Sequence, residues 1–310
     1  MDKIRIGTRG SKLALWQAYH IADLLKANGL DSEIITIETK GDKILDVSIA
    51  KIGSKGVFTE EIEDQLKQGH IDIAVHSAKD MQSELPDGFE LIAFTEREVV
   101  NDVLVGFDKN LSLDQEVVIG TSSTRRVATL KHFYPKVKTV AVRGNLQTRF
   151  KKMEEGACDA MLLAYAGVHR MGFHDRIIKQ LSLNEFIPAV GQGSVAVESH
   201  TNLEQSKSEA IRKATNHRET EIRLLAERAY LRKLHGGCSI PVFALATLKG
   251  DTLHIEGGIV DLEGKERIIK KQSGRIDEAE NLGNQLAEEV LNAGGDRILK
   301  EIRRELGSGS

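Results

Sequence analysis

Cysteine is nearly missing from this 310-residue chain, which has only Cys158 and Cys238. Two thiols make no disulfide framework, and neither stands in a CxxC or His-rich spacing, so no metal site is expected. A long apolar run is missing too: nothing approaches the roughly 18 apolar residues of a membrane span. The N-terminal stretch MDKIRIGTRGS has no apolar core of a secretory leader, so a cytoplasmic location is expected. Net charge is small, at -3, which gives no reason to expect nucleic acid or an anionic membrane as partner. No GxxxxGK[ST] occurs, which disfavours a nucleotide P-loop. What remains is an ordinary globular composition, 40% hydrophobic and 29% charged, in a chain long enough for two or three domains.

Within it one pattern recurs four times: a short β-branched run, a polar loop with Arg or Lys, then a helix. KIRIG leads through TRGS into KLALWQAYHIADLLKANG; HIDIAVHSAKD, EVVIGTSSTRRVATLKHF and VKTVAVRGNLQTRFKKMEEG follow. Strands alternating with helices indicate α/β lobes with mostly parallel sheets, which bind ligands at the carboxyl ends of their strands. Two units precede residue 100 and two follow it, so two lobes with a cleft are expected, joined through 96–110 and 184–198. From about 216 the character changes to a helix, three strand-like runs and one terminal helix over 278–305, a small α+β domain. The expected division is 1–98 with about 194–213, then 99–193, then 214–306, with 307–310 as a tail.

The loops carry the chemistry. In GTSSTRR, Thr121, Ser122 and Ser123 stand at a helix start beside Arg125 and Arg126, which reads either as a capped helix with surface arginines or as an anion site. RGNLQTR repeats the theme with Arg143 and Arg149, and guanidinium forks pair with carboxylates bidentately. Several basic loops at one cleft imply a polyanionic ligand. HSAKD places Lys79 and Asp80 after a strand; Asp80 is a helix cap or, in a basic cleft, the group that stabilises a cation on the ligand. His76 is most simply structural. Residues 41–61, with Lys51 and Lys55, are a mobile lid or a solvated loop. Cys158 reads as core. Cys238, after Gly236 and Gly237 at a helix end, sits where the helix dipole disfavours a thiolate, so it reads as a displayed thiol that need not be ionised.

With these stretches in order, together with KIGSKGVF, DAMLLAYAGVHRMG, PAVGQG and AERAYLRKLHGGCSIPV, the chain resembles the porphobilinogen deaminases along nearly its whole length. The resemblance implies two lobes like those of periplasmic binding proteins and a third domain carrying a dipyrromethane cofactor in thioether linkage to Cys238. It implies an enzyme that joins four porphobilinogen units head to tail with loss of ammonia, then releases hydroxymethylbilane by hydrolysis. Asp80 would contact pyrrole N–H groups and stabilise an azafulvene-like cation. Lys79, Ser122, Arg125, Arg126, Arg143 and Arg149, with Thr121 and Ser123, would hold the carboxylates of cofactor and growing chain. Arg9, Ser11 and Gln192 would line the substrate site, and Phe58 would act from the lid. The implied partners are porphobilinogen and the growing chain, with the protein a monomer. The chain departs from the family motifs at Ala78, Gln82, Asn101, Thr124, His200 and Glu60, where a hydrophobe, proline, arginine, leucine, arginine and lysine are usual. These departures spare Asp80 and Cys238. The competing expectations are a solute-binding protein, which would need neither of those two residues nor a third domain, and a non-catalytic homologue.

Overall fold

The computed structural model describes residues 2–40, 59–237 and 239–307. In chain order come β1 (Ile4–Thr8), α1 (Lys12–Ala27), β2 (Ser32–Thr36), α2 (Glu60–Lys67), β3 (Ile73–Ser77), a single tight turn Ala78–Asp80, and β4 (Phe89–Phe94). Then follow β5 (Asp102–Gly106), β6 (Val118–Gly120), α3 (Thr124–Phe133), β7 (Lys138–Val140), α4 (Leu146–Glu154), β8 (Ala160–Ala164), α5 (Tyr165–Arg170) and β9 (Ile177–Gln180). The chain closes with β10 (Val195–His200), α6 (Gln205–Thr215), α7 (Arg218–Lys233), β11 (Val242–Lys249), β12 (Thr252–Val260), β13 (Arg267–Arg275), α8 (Ala279–Val290) and α9 (Asp296–Gly307).

Two five-stranded sheets share one plan, β2-β1-β3-β10-β4 and β7-β6-β8-β5-β9. In each, the first three strands are parallel and the fourth is antiparallel to both of its neighbours. Half the pairings are therefore antiparallel, not the mostly parallel arrangement expected. The cause is connectivity: β5 and β10 are the strands on which the chain arrives from the other lobe. A second expectation also fails, since no helix follows β3. Only the turn 78–80 forms before a stretch with Ser83, Pro86 and Gly88, whose residue types break a helix.

Hydrophobic alternation explains how each sheet is covered. Ala18, Ile21 and Leu25 of α1 pack on Ile4, Ile6, Ile73 and Val75, all buried, each isoleucine, leucine and valine contributing roughly 1.5–3 kcal/mol by its removal from water. Ser11 caps α1, its Oγ accepting from Ala14 N–H at 3.3 Å. The third domain is an antiparallel sheet, β11-β12-β13, backed by α7 and α8. Gly283 lets those two helices close in, because a Cβ there would stand 2.1 Å from the Ala226 carbonyl oxygen. The expected terminal helix is two helices: Gly294, at φ 111°, breaks it between α8 and α9.

Candidate functional site

The parallel strands β1, β3, β6 and β8 end toward a common region between the two lobes. There a small cavity of about 30 Å³ is lined by Leu13 and Gln17 of α1, Ser77 and Lys79 at the end of β3, Ala164, Ala166, Gly167 and Arg170 at the end of β8, and Gly193 and Ser194. Gln17 Nε2 donates to Ser77 Oγ at 2.8 Å, tying α1 to the end of β3. From the facing lobe the Arg170 guanidinium lies 5.0 Å over the Trp16 ring and donates to Gly193 O at 2.8 Å.

Around this junction the charges converge. Lys79 is within electrostatic reach of Asp80, Arg126, Asp102 and Arg125, and Arg149 of Arg126, Asp80 and Arg143. Burial pushes the Lys79 ammonium down to about 8, with Asp80 opposing and Arg126 adding to the fall. Burial likewise lowers Arg149, Arg125 and Arg170 from the ordinary guanidinium value. Asp80 itself is exposed, on the turn after β3. The sheet positions it, since Ala78 N–H donates to Ser194 O at 3.0 Å. Gly191, at φ 76°, lies so close beneath that a Cβ there would stand 2.9 Å from the Ala78 carbonyl carbon.

Arg125 and Arg126 turn inward. Their Nη2 atoms reach Asp102 Oδ2 and Oδ1, each at 2.7 Å, and Gln192 Nε2 reaches the same Oδ1 at 3.0 Å. Burial would raise the Asp102 pKa, but the two guanidiniums outweigh it and hold the carboxyl well below its usual range. Gln192 is accordingly interior, at 1% exposure, and also donates to Val100 O at 2.7 Å. The hydroxyls are partly committed: Ser122 Oγ donates to Val142 O, Thr121 Oγ1 accepts from Ser123 N–H, and Ser123 Oγ caps α3 by accepting from Arg126 N–H. Ser11 is the α1 cap, and Arg9 is half-buried in the loop after β1. Lys51, Lys55, Phe58 and Cys238 lie outside the described residues.

The sequence reading missed Asp102, Arg170 and Glu227. Glu227 is fully buried, pairs with Arg97 at 2.6 Å and accepts from Gly191 N–H at 2.9 Å, linking the third domain to the inter-lobe connections. The departures are absorbed structurally. Asn101 Nδ2 donates to Leu181 O at 2.9 Å, Glu60 pairs with Lys40 at 2.8 Å, and the His200 ring meets Phe89 edge-on. Ala78 is a core residue.

Residues 4–208 match the family model described as "Porphobilinogen deaminase, dipyromethane cofactor binding domain", and residues 222–292 match that family's C-terminal domain. The chain belongs to the porphobilinogen deaminase family. The porphobilinogen deaminase of Desulfosudis oleivorans is 55% identical over 306 residues, 98% of this chain and 99% of that protein. The one from Cytophaga hutchinsonii is 55% identical over 305 residues, 98% of each. Among solved structures, the Bordetella pertussis BvgS periplasmic VFT2 domain aligns at 16% identity with a TM-score of 0.42, over 68% of this chain and 86% of that one.

The cofactor of porphobilinogen deaminases is dipyrromethane, and the side chains here fit a group bearing carboxylates. Arg125 Nε and Arg170 Nε are buried with no hydrogen-bond partner among the described residues. Lys79 makes no ion pair there either, and burial lowers its pKa. Among the described residues, Lys79, Arg125, Arg126 and Arg149 gather around two carboxylates, Asp80 and Asp102, with Arg143 beside Arg149. The excess positive charge calls for an anionic occupant. The segment that bears Cys238 follows α7 directly. His235, at φ 46°, ends that helix 3.9 Å from the carboxylate of Glu84, in the same loop as Asp80.

Proposed function

We propose that Asp80 is the catalytic carboxylate of this chain and that Lys79, Arg125, Arg126, Arg143 and Arg149 hold the carboxylates of the cofactor and growing pyrrole chain. The reaction is that of porphobilinogen deaminases: four porphobilinogen molecules condense head to tail with loss of ammonia, and hydrolysis then yields hydroxymethylbilane for tetrapyrrole synthesis. When bound, the dipyrromethane supplies the pyrrole carbon to which the first substrate is joined, and Cys238 is its covalent anchor.

The protein's part is electrostatic and geometric. Loss of ammonia leaves positive charge on the substrate's pyrrole, and Asp80, exposed at the mouth of the cleft, is the carboxylate able to offset it while accepting its N–H. The basic residues fix side-chain carboxylates by charged hydrogen bonds worth about 1.5–3 kcal/mol each, which holds successive rings in line with Asp80. Ser122, Ser123 and Thr121 add neutral donors at the α3 start, and Arg9 and Ser11 serve the incoming substrate. Gln192 acts through Asp102 by orienting the arginine pair. Lys51, Lys55 and Phe58 are assigned to a lid.

The observation that carries this assignment is the excess, among the described residues, of cations around the exposed carboxylate of Asp80. Its test is Asp80→Asn, which should retain the bound cofactor, visible as added mass, and lose turnover of porphobilinogen by at least about 100-fold. Near-normal turnover would remove Asp80 from the role.

The membership of β10 in the first sheet and β5 in the second supports the division 1–98 with 194–213, 99–193 and 214–306. We also infer a cytoplasmic monomer. No helix among the described residues is long and apolar enough to cross a membrane, and few large apolar side chains are exposed. Light scattering on the eluting protein tests the monomer: a dimer mass would refute it.

A further inference from the structure

The turn that carries Asp80 is held from behind by a side chain with no part in the chemistry above. Gln82 Nε2 donates to the Thr59 hydroxyl at 3.1 Å and to Glu63 Oε1 at 3.2 Å. Thr59 and the Glu63 carboxylate are themselves hydrogen-bonded, so amide, hydroxyl and carboxylate close a ring of contacts. Thr59 and Glu63 are buried, at 4% and 7% exposure. On its other side, the backbone carbonyl of residue Gln82 accepts from Arg228 Nη2 at 2.8 Å. One residue thus ties the Asp80 turn to the start of α2 in its own lobe and to α7 of the third domain.

The turn needs such support. The hydrogen bond that closes it, Met81 N–H to Ala78 O, is long at 3.4 Å. Asp80 projects toward solvent, and no ion pair to it is formed among the described residues. The family motif carries proline at this place, and a proline ring would restrain the backbone by fixing φ. Here the restraint is made of side-chain bonds instead.

We infer that Gln82 is a positioning residue for Asp80, fixing the Lys79–Asp80 turn through Thr59 and Glu63 on one side and Arg228 on the other. This rests on the assignment of Asp80 as the catalytic carboxylate. Gln82 touches neither substrate nor cofactor in this scheme. It sets where the Asp80 carboxylate stands, and a displacement of about 1 Å at a reacting group costs up to about 100-fold in rate.

The Glu63 carboxyl offers a readout that a merely structural role would not move. Burial raises its pKa above the ordinary range, with Glu198 of β10 and Asp64 adding and Thr59 and His76 of β3 opposing. Arg228 of α7 faces Glu198. Replacing Gln82 with glutamate sets a second carboxylate against Glu63. Two such groups repel when both are ionised and bond when they share one proton.

The experiment compares wild type, Gln82→Ala, Gln82→Glu and Asp80→Asn as purified holoenzymes with porphobilinogen, each rate normalised to folded protein. Gln82→Ala should lower kcat about tenfold with a smaller rise in KM, since Lys79 shares the misplaced turn while Arg125, Arg126, Arg143 and Arg149 stand on other elements. Gln82→Glu should be impaired at alkaline pH and recover toward wild type as pH is lowered and Glu63 and the new carboxyl come to share a proton. Wild-type kcat in Gln82→Ala, or a pH-independent ratio of Gln82→Glu to wild type, overturns the inference. If Asp80→Asn turns over normally, the underlying assignment fails instead, so the two failures are distinguishable.

Discussion

Asp102→Asn should destabilise the protein more than any surface change, and the structure says why. Asp102 is completely buried, and its two oxygens accept from Arg125 Nη2, Arg126 Nη2 and Nε, and Gln192 Nε2 at 2.7–3.1 Å. An amide of the same size removes the negative charge and turns an N–H₂ toward one guanidinium, leaving two buried cations uncompensated. Breaking one buried pair by removing a partner costs about 3–5 kcal/mol, and two arginines share this carboxylate, which argues for the upper end. For a lobe of about 95 residues each kcal/mol moves Tm by about 4–8 °C, so calorimetry should show a drop of roughly 12–40 °C at pH 7.5. The pH dependence is also defined. Because the folded pKa lies below the unfolded value of about 3.9, the stabilisation is fully present above that value and is lost only as pH falls through the folded pKa. The gap between wild type and variant should therefore be the same at pH 5 and pH 7.5. A loss under about 1 kcal/mol, within the range of ordinary surface substitutions, or a gap that closes by pH 5, would refute the reasoning.

Lys79 shifts stability in the same direction with pH, but in the alkaline range. Its folded pKa of about 8 lies below the unfolded value of about 10.4, so stability rises as pH climbs between the two. If Lys79 holds carboxylates as proposed, they are released over the same climb, and KM for porphobilinogen should increase from pH 7.5 to 9. Lys79→Arg should flatten that rise; an identical rise in both proteins would exclude Lys79 as its source. Gly191→Ala places a methyl 2.9 Å from the Ala78 carbonyl carbon and 3.0 Å from Lys79 N at a φ of 76°. It should cost about 1–3 kcal/mol and lower kcat through the displaced turn, and an unaltered kcat would show that Gly191 does not support it.

Much of the fold follows from local pattern. The strand–loop–cation repeat, with Ser11, Ser123 and Asn145 as helix caps, located the strand ends where the charges gather. Strand direction was hidden, because β5 and β10 enter antiparallel only through long-range connectivity that periodicity does not encode. The break at Gly294 was readable from the adjacent glycines of LNAGG. Within the site, Lys79, Asp80 and Arg149 were legible as cations and a carboxylate at strand ends. The inward turn of Arg125 and Arg126 was not, since it depends on Asp102 from another strand. A signal for Asp102 existed: an aspartate opening the apolar strand DVLVG must be buried, and a buried carboxylate needs a cation. Arg170 gave no such signal, because a basic residue at the end of α5 already suits the helix dipole.

The central claim is that this chain carries a covalent dipyrromethane on Cys238 and works on it with Asp80. Its most direct test is the intact mass of the purified full-length protein, measured beside Cys238→Ala after expression under conditions that allow cofactor assembly. Wild type should exceed its sequence mass by one dipyrromethane, Cys238→Ala should match its sequence mass, and incubation with porphobilinogen should add further pyrrole units to wild type alone. A wild-type mass equal to the bare sequence, or an equal increment in Cys238→Ala, would contradict it.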